Sequence, residues 1–149
     1  MGAVALSLAA LFTACQSTPT RTEAELKSLQ GYWEGSGASI TFAGNSLHYY
    51  SGTNEWFQTT FTLPAGTDPW QLLATIKDCA TCKTNSTTNS SVGHVVGAIF
   101  KIEEGTLTLA MSGEGEAEPP KSFEAENIGT FKLHKRQPLK KNTEPPKTN

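Results

Sequence analysis

Between Tyr32 and Leu133 the chain divides into eight short segments of strand-like composition, nearly all of them separated by turn chemistry. This repetition constrains the fold more than any other feature of the sequence. The segments are Tyr32–Ala38, Ser39–Ala43, Leu47–Tyr50, Trp56–Leu63, Trp70–Lys77, Gly93–Glu103, Thr106–Ser112 and Ile128–Leu133. Gly44-Asn45, residues 51–54, residues 64–69 and Glu104-Gly105 punctuate them. Several alternate with period two, so that Phe57, Thr59, Phe61 and Leu63 share a face. So do Val96, Ala98, Phe100 and Ile102, and likewise Leu107, Leu109 and Met111. An antiparallel meander with one apolar face removes its open edges by closing on itself. The expectation is an all-β, eight-stranded antiparallel barrel, whose interior is just wide enough to be filled by side chains or to hold one small ligand.

What precedes the strands is of a different kind. Residues 1–14 carry no charge and run apolar, too short to span a bilayer, and read as a secretory signal. Residues 15–22 form a polar tether. Thr22-Glu23-Ala24-Glu25 then reads as a capping box, followed by Leu26 and Leu29 at i, i+3, and Gly31 closes a helix of about two turns. A helix this short needs a surface to lie on. After Arg136, residues 137–149 hold three prolines and no apolar period, and read as a disordered tail. The expected domain is thus 23–136.

Composition excludes more than it proposes. A chain of 149 residues with 37% hydrophobic and 17% charged residues reads as one soluble domain. The net charge of −2 points to no nucleic-acid partner. The charge is uneven, with +4 on residues 134–149 and −6 on the rest, and a basic end of this kind is more often solvated than a binding device.

Two resemblances carry the sequence further. Leu11-Phe12-Thr13-Ala14-Cys15 resembles the bacterial lipobox, although Phe12 stands where leucine is usual and no Lys or Arg precedes the apolar run. That resemblance implies lipidation of Cys15, with Gln16 directing the protein to the outer membrane, facing periplasm or surface. It also implies a membrane contact made through acyl chains. The alternative is a plain secretory signal cleaved near Ala14, leaving a secreted or periplasmic protein with Cys15 as an odd thiol.

Gly31-x-Trp33 after a short helix resembles the lipocalin (calycin) signature, in which the tryptophan packs at the closed end of a barrel under a basic residue from the last strand. Lys135 or Arg136 would supply that residue, and Arg136 is the one assigned. More closely, residues 26–136 resemble the lipocalin-like domain of uncharacterised bacterial proteins of planctomycete type. The pieces that match in order are residues 29–33, 40–45, 60–63, 99–109, 120–123 and 133–136, with an insertion near Cys79–Ser91. The resemblance implies binding of a small apolar molecule, by analogy of fold alone.

Candidate sites are few. Cys79 and Cys82 in Asp78-Cys79-Ala80-Thr81-Cys82 read first as a structural disulfide, suited to an oxidising compartment. A redox pair would need a helix N-terminus. Haem attachment would need His where Lys83 stands, and zinc would need His94 and Asp78 as further ligands. His94 has the parity of Val96 and Phe100 and is expected to look into the barrel mouth as a satisfied buried histidine or a ligand contact. Phe61, Phe100 and Tyr49 are the other candidate ligand contacts. His48 is expected to face solvent, and Trp56, opposite in parity to Phe57, to be exposed. Glu114, Glu116 and Glu118 read as a solvated acidic loop without calcium-site spacing, and the Asn85 and Asn89 sequons as incidental. No nucleophile–base pair, phosphate loop or paired acids emerges, so the expectation is non-enzymatic with no cofactor. The binding reading has two alternatives: an interaction module whose barrel is filled by Trp33, Phe42, Phe61 and Phe100, with no protein partner legible, and a metal or redox module at the cysteine pair. A domain of about 110 residues is shorter than a typical lipocalin and tilts the expectation towards a small or absent cavity.

Overall fold

The computed structural model describes residues 21–52, 54–82, 91–126 and 128–137. The signal, Cys15, most of the tether, Lys83, the two sequons and the tail from 138 lie outside the described residues. One helix, α1 (Arg21–Leu29), precedes eight strands: β1 (Gly31–Gly35), β2 (Ala38–Ala43), β3 (Ser46–Ser51), β4 (Glu55–Thr62), β5 (Trp70–Cys79), β6 (Val95–Glu103), β7 (Thr106–Met111) and β8 (Gly129–Arg136). Each strand pairs antiparallel with the next, and β8 returns to β1 to close the barrel. The expected fold class is what the chain adopts.

Two boundaries differ from the sequence reading for local reasons. The turn between the first two strands falls at Ser36-Gly37, not at Ala38-Ser39, because Gly35 pairs with Ala38 across a two-residue loop. Ser36 and Gly37 have φ of 51° and 73°, the type I′ geometry whose twist matches the flanking strands. At the N-terminus α1 begins at Arg21, which places Thr22 inside the first turn rather than at the cap, and Glu25 is buried.

The β1–β8 seam is the shortest ladder, pairing only Tyr32–Arg136, Trp33–Lys135 and Glu34–His134. A side chain extends it. Ser36 Oγ donates to the Lys132 carbonyl at 3.1 Å and accepts from the Lys132 N–H at 3.1 Å, so the last open backbone groups of that stretch are satisfied. At Gly35 the chains approach so closely that a Cβ would collide with the Lys132 carbonyl oxygen.

The barrel has two unlike ends. At one, α1 lies across the opening and Leu29, Trp33, Phe42, Phe61, Phe100, Leu107 and Leu133 form a buried plug. Phe42 and Phe61 meet edge-on with ring centres 5.5 Å apart, and Trp70 packs on Phe100 at 5.4 Å, contacts that add to their area burial. The helix C-terminus leaves carbonyls without intrahelical partners, and side chains take three of them. Gln30 Nε2 donates to Leu26 O at 3.0 Å, Lys135 Nζ to Ser28 O at 3.2 Å, and Trp33 Nε1 to Leu29 O at 2.6 Å. Gln30 also exchanges two bonds with the Gly44 backbone, tying the helix end to the β2–β3 turn.

The other end carries the Ser36-Gly37 turn, the β3–β4 turn, the β5–β6 connection and the long β7–β8 connection. The last of these does not simply span the opening. It runs over the outside of β6, where the Gly97 N–H donates to Glu116 O at 2.9 Å and the Ser112 N–H donates to Gly97 O at 2.9 Å. Outward-facing Ile99 and Ala110, paired on the same two strands, are both at 0% exposure.

Candidate ligand cavity at the open end

Inward parity places one row of residues from β2 to β7 around a common space. Ile40, Leu47, Tyr49, Phe57, Thr59, Leu72, Ala74, Ile76, Val96, Ala98, Leu109 and Met111 line a cavity of about 230 Å³, with Glu55, Ser112 and Glu114 also on its wall. The cavity lies in the half of the barrel away from α1. It exists because the inward residues there are smaller than those of the plug: Ala74, Ala98, Val96 and Thr59 stand where the other half has Phe and Trp. Its wall is mostly apolar. The Thr59 hydroxyl is used by its own sheet, donating to Leu47 O at 3.3 Å, and the Ser112 hydroxyl donates to Glu118 O at 2.6 Å.

Of the four candidate ligand contacts, Tyr49 lines the cavity, its ring set against Phe57 at 6.2 Å and Phe131 at 5.8 Å. Phe61 and Phe100 do not; they belong to the plug, at 3% and 0% exposure. Their parity was read from the strands, but position along the barrel axis, which parity does not encode, puts them on the filled side. His94 is neither buried nor lumenal. β6 begins at Val95, and His94 follows the Val92-Gly93 turn, its carbonyl still accepting from the Ile76 N–H at 2.9 Å, so the side chain lies at the edge of the strand where parity no longer fixes its direction. Its side chain is 52% exposed, with Nδ1 3.2 Å from Glu114 Oε1. Residues missing from the sequence reading were Glu55 and Glu114 at the mouth and the small wall residues. For the wall, the alternation of β4 and β6 was the available signal.

The basic residue at the closed end is Lys135, not Arg136. Trp33 stands opposite Lys135 in the β1–β8 register, and directly opposed residues share a face. Lys135 Nζ sits 5.2 Å from the centre of the Trp33 ring, within cation–π range. Arg136 opposes Tyr32 on the outer face and reaches Glu34 at 3.5 Å.

Cys79 and Cys82 are joined as a disulfide, with Cα atoms 5.1 Å apart. Cys79 closes β5 at the open end, opposite Phe57, and is buried. The sulfurs are thus bonded to each other, and the segment after Cys79 is a turn rather than a helix start. Asp78 Oδ1 accepts from the Cys79 N–H at 2.9 Å and His94 faces Glu114. Among the described residues no three His, Cys, Asp or Glu side chains converge as a metal site. His48 and Trp56 are both half-buried on the outer face; Trp56 lies beside Tyr50, which is 53% exposed. In the acidic loop, Glu116 Oε2 accepts from the Gly113 N–H at 3.2 Å, so that carboxylate is used in shaping the turn. Among the described residues no helix is long and apolar enough to cross a membrane.

No family model matches the chain, and neither does any curated protein sequence or solved structure.

Proposed function

We propose that this chain is a lipid-anchored, lipocalin-like protein of the bacterial cell envelope that binds one small apolar molecule in the open-end cavity and performs no catalysis. The observation that carries the reading is the division of the barrel into a plugged half and a hollow half with a mostly apolar wall. A barrel serving only as a scaffold has no need of the hollow half, since larger side chains at Ala74 and Ala98 would fill it. Ligand pockets of most proteins run from about 300 Å³ upward, so a cavity of about 230 Å³ calls for a small ligand. A cavity of roughly 150 Å³ takes benzene, and on that scale this one takes about nine non-hydrogen atoms. The anchor would keep such a carrier at the membrane from which apolar molecules partition.

Native mass spectrometry of the protein from its own envelope, compared with its denatured mass, tests both parts. The expected result is a non-covalent mass of about that size, lost on denaturation, and a covalent diacyl or triacyl mass on the peptide beginning at Cys15. Ala98→Leu, which extends into the cavity from β6, should abolish the non-covalent mass while leaving the fold intact. Retention of that mass in the variant would place the molecule elsewhere and end the carrier reading.

A further inference from the structure

The cavity wall is apolar, yet its polar groups are unevenly matched. Of the five polar side chains on it, the hydroxyls of Thr59 and Ser112 are already committed as donors to backbone carbonyls. The Tyr49 hydroxyl both donates and accepts, and so selects neither kind of head group. The remaining two are the carboxylates of Glu55, at the start of β4, and Glu114, on the β7–β8 connection. Among the described residues no Lys or Arg lines the cavity. Glu114 has His94 at 3.2 Å, whereas Glu55 makes no ion pair or hydrogen bond among the described residues. An ionised carboxylate accepts and cannot donate. The cavity therefore presents an apolar body surface and an acceptor-only, negatively charged lip.

From this we infer that the ligand is an apolar primary or secondary amine, bound with its hydrocarbon part inside and its ammonium group at Glu55 and Glu114. The inference rests on the carrier reading and adds the sign of the head group to it. An ammonium brings donors and a positive charge to two acceptors that, among the described residues, have no Lys or Arg on the cavity wall. A carboxylate of the same length would bring like charge to them, and an alcohol would be indifferent to it.

Titration calorimetry of the full chain with n-octylammonium, 1-octanol and octanoate, probes of nine or ten non-hydrogen atoms, separates the possibilities. The mouth is solvent-exposed, so the expected margin is that of a surface ion pair, with octylammonium about fivefold tighter than octanol and octanoate weaker by a similar factor. The pair E55Q/E114Q should bring the three probes to within about twofold of one another. Both side chains are exposed, so the double variant is expected to fold. Equal affinities for all three probes, or preference for octanoate, would overturn the amine inference and leave the carrier reading standing. Absence of binding by every probe would overturn both. Ala98→Leu guards against attraction at the surface alone: octylammonium binding that survives this substitution lies outside the cavity and refutes the inference.

Discussion

The two halves of the barrel share one alternation pattern and differ in what the alternation delivers. On the side of α1 the inward positions are Trp33, Phe42, Phe61, Phe100, Leu107 and Leu133, all buried in the core. On the far side they are Ile40, Thr59, Ala74, Val96 and Ala98, which line the cavity. The helix closes the first half by lending its C-terminal carbonyls to Gln30, Lys135 and Trp33. Among the described residues the second half has only connections at its mouth, joined to β5 by the Cys79–Cys82 ring and to the outside of β6 by the loop after β7. Stability is therefore expected to concentrate in the plugged half and binding in the hollow one.

The strongest way to break that division is Trp33→Ala. It removes a side chain at 1% exposure, its hydrogen bond to Leu29 O and the ring beneath Lys135. The expected loss is about 3–5 kcal/mol in urea unfolding, with affinity for octanol in the folded fraction unchanged. A fall in affinity of more than a few fold would show that the halves are coupled.

Gly97→Ala probes the hollow side from outside. A Cβ at Gly97 would stand 2.6 Å from the Ala117 carbonyl oxygen and 2.6 Å from Pro119 N, both backbone. The overlying chain has to move. A cost of about 1–3 kcal/mol is expected, together with faster amide exchange at Glu116 and altered binding, because Glu114 sits on the same connection. Unchanged exchange would show that the connection is held by other contacts.

The smallest effects discriminate between neighbours. Lys135→Met loses the cation over Trp33 and the donor to Ser28 O, for an expected cost of about 1 kcal/mol. Arg136→Met loses an exposed pair with Glu34 and should cost under about 0.5 kcal/mol. Equal costs would mean that Trp33 is not the origin of the difference.

Period-two alternation and the spacing of turns carried the strand count and the barrel, because those signals are local. The Ser36-Gly37 turn is in plain view as a serine–glycine pair within Gly35-Ser36-Gly37, a glycine-rich turn signal that the reading of Tyr32–Ala38 as one strand passes over. The sequence near the last strand offers two adjacent cations, Lys135 and Arg136, and only the register with Trp33 shows which of them faces inward. His94 was misplaced by extending strand parity one residue beyond the ladder.

What the sequence determined by itself was which residues of a strand share a face, since each strand assigns its residues to two faces by backbone geometry alone, and the apolar face is the inner one. Which of those inward residues fill space and which surround it was a matter for the tertiary structure. That depends on height along the barrel axis, and height follows from the stagger between strands and from the end on which α1 comes to rest. The same holds for the mouth: Glu55, His94 and Glu114 are far apart in sequence, and only closure of the barrel brings them to one rim.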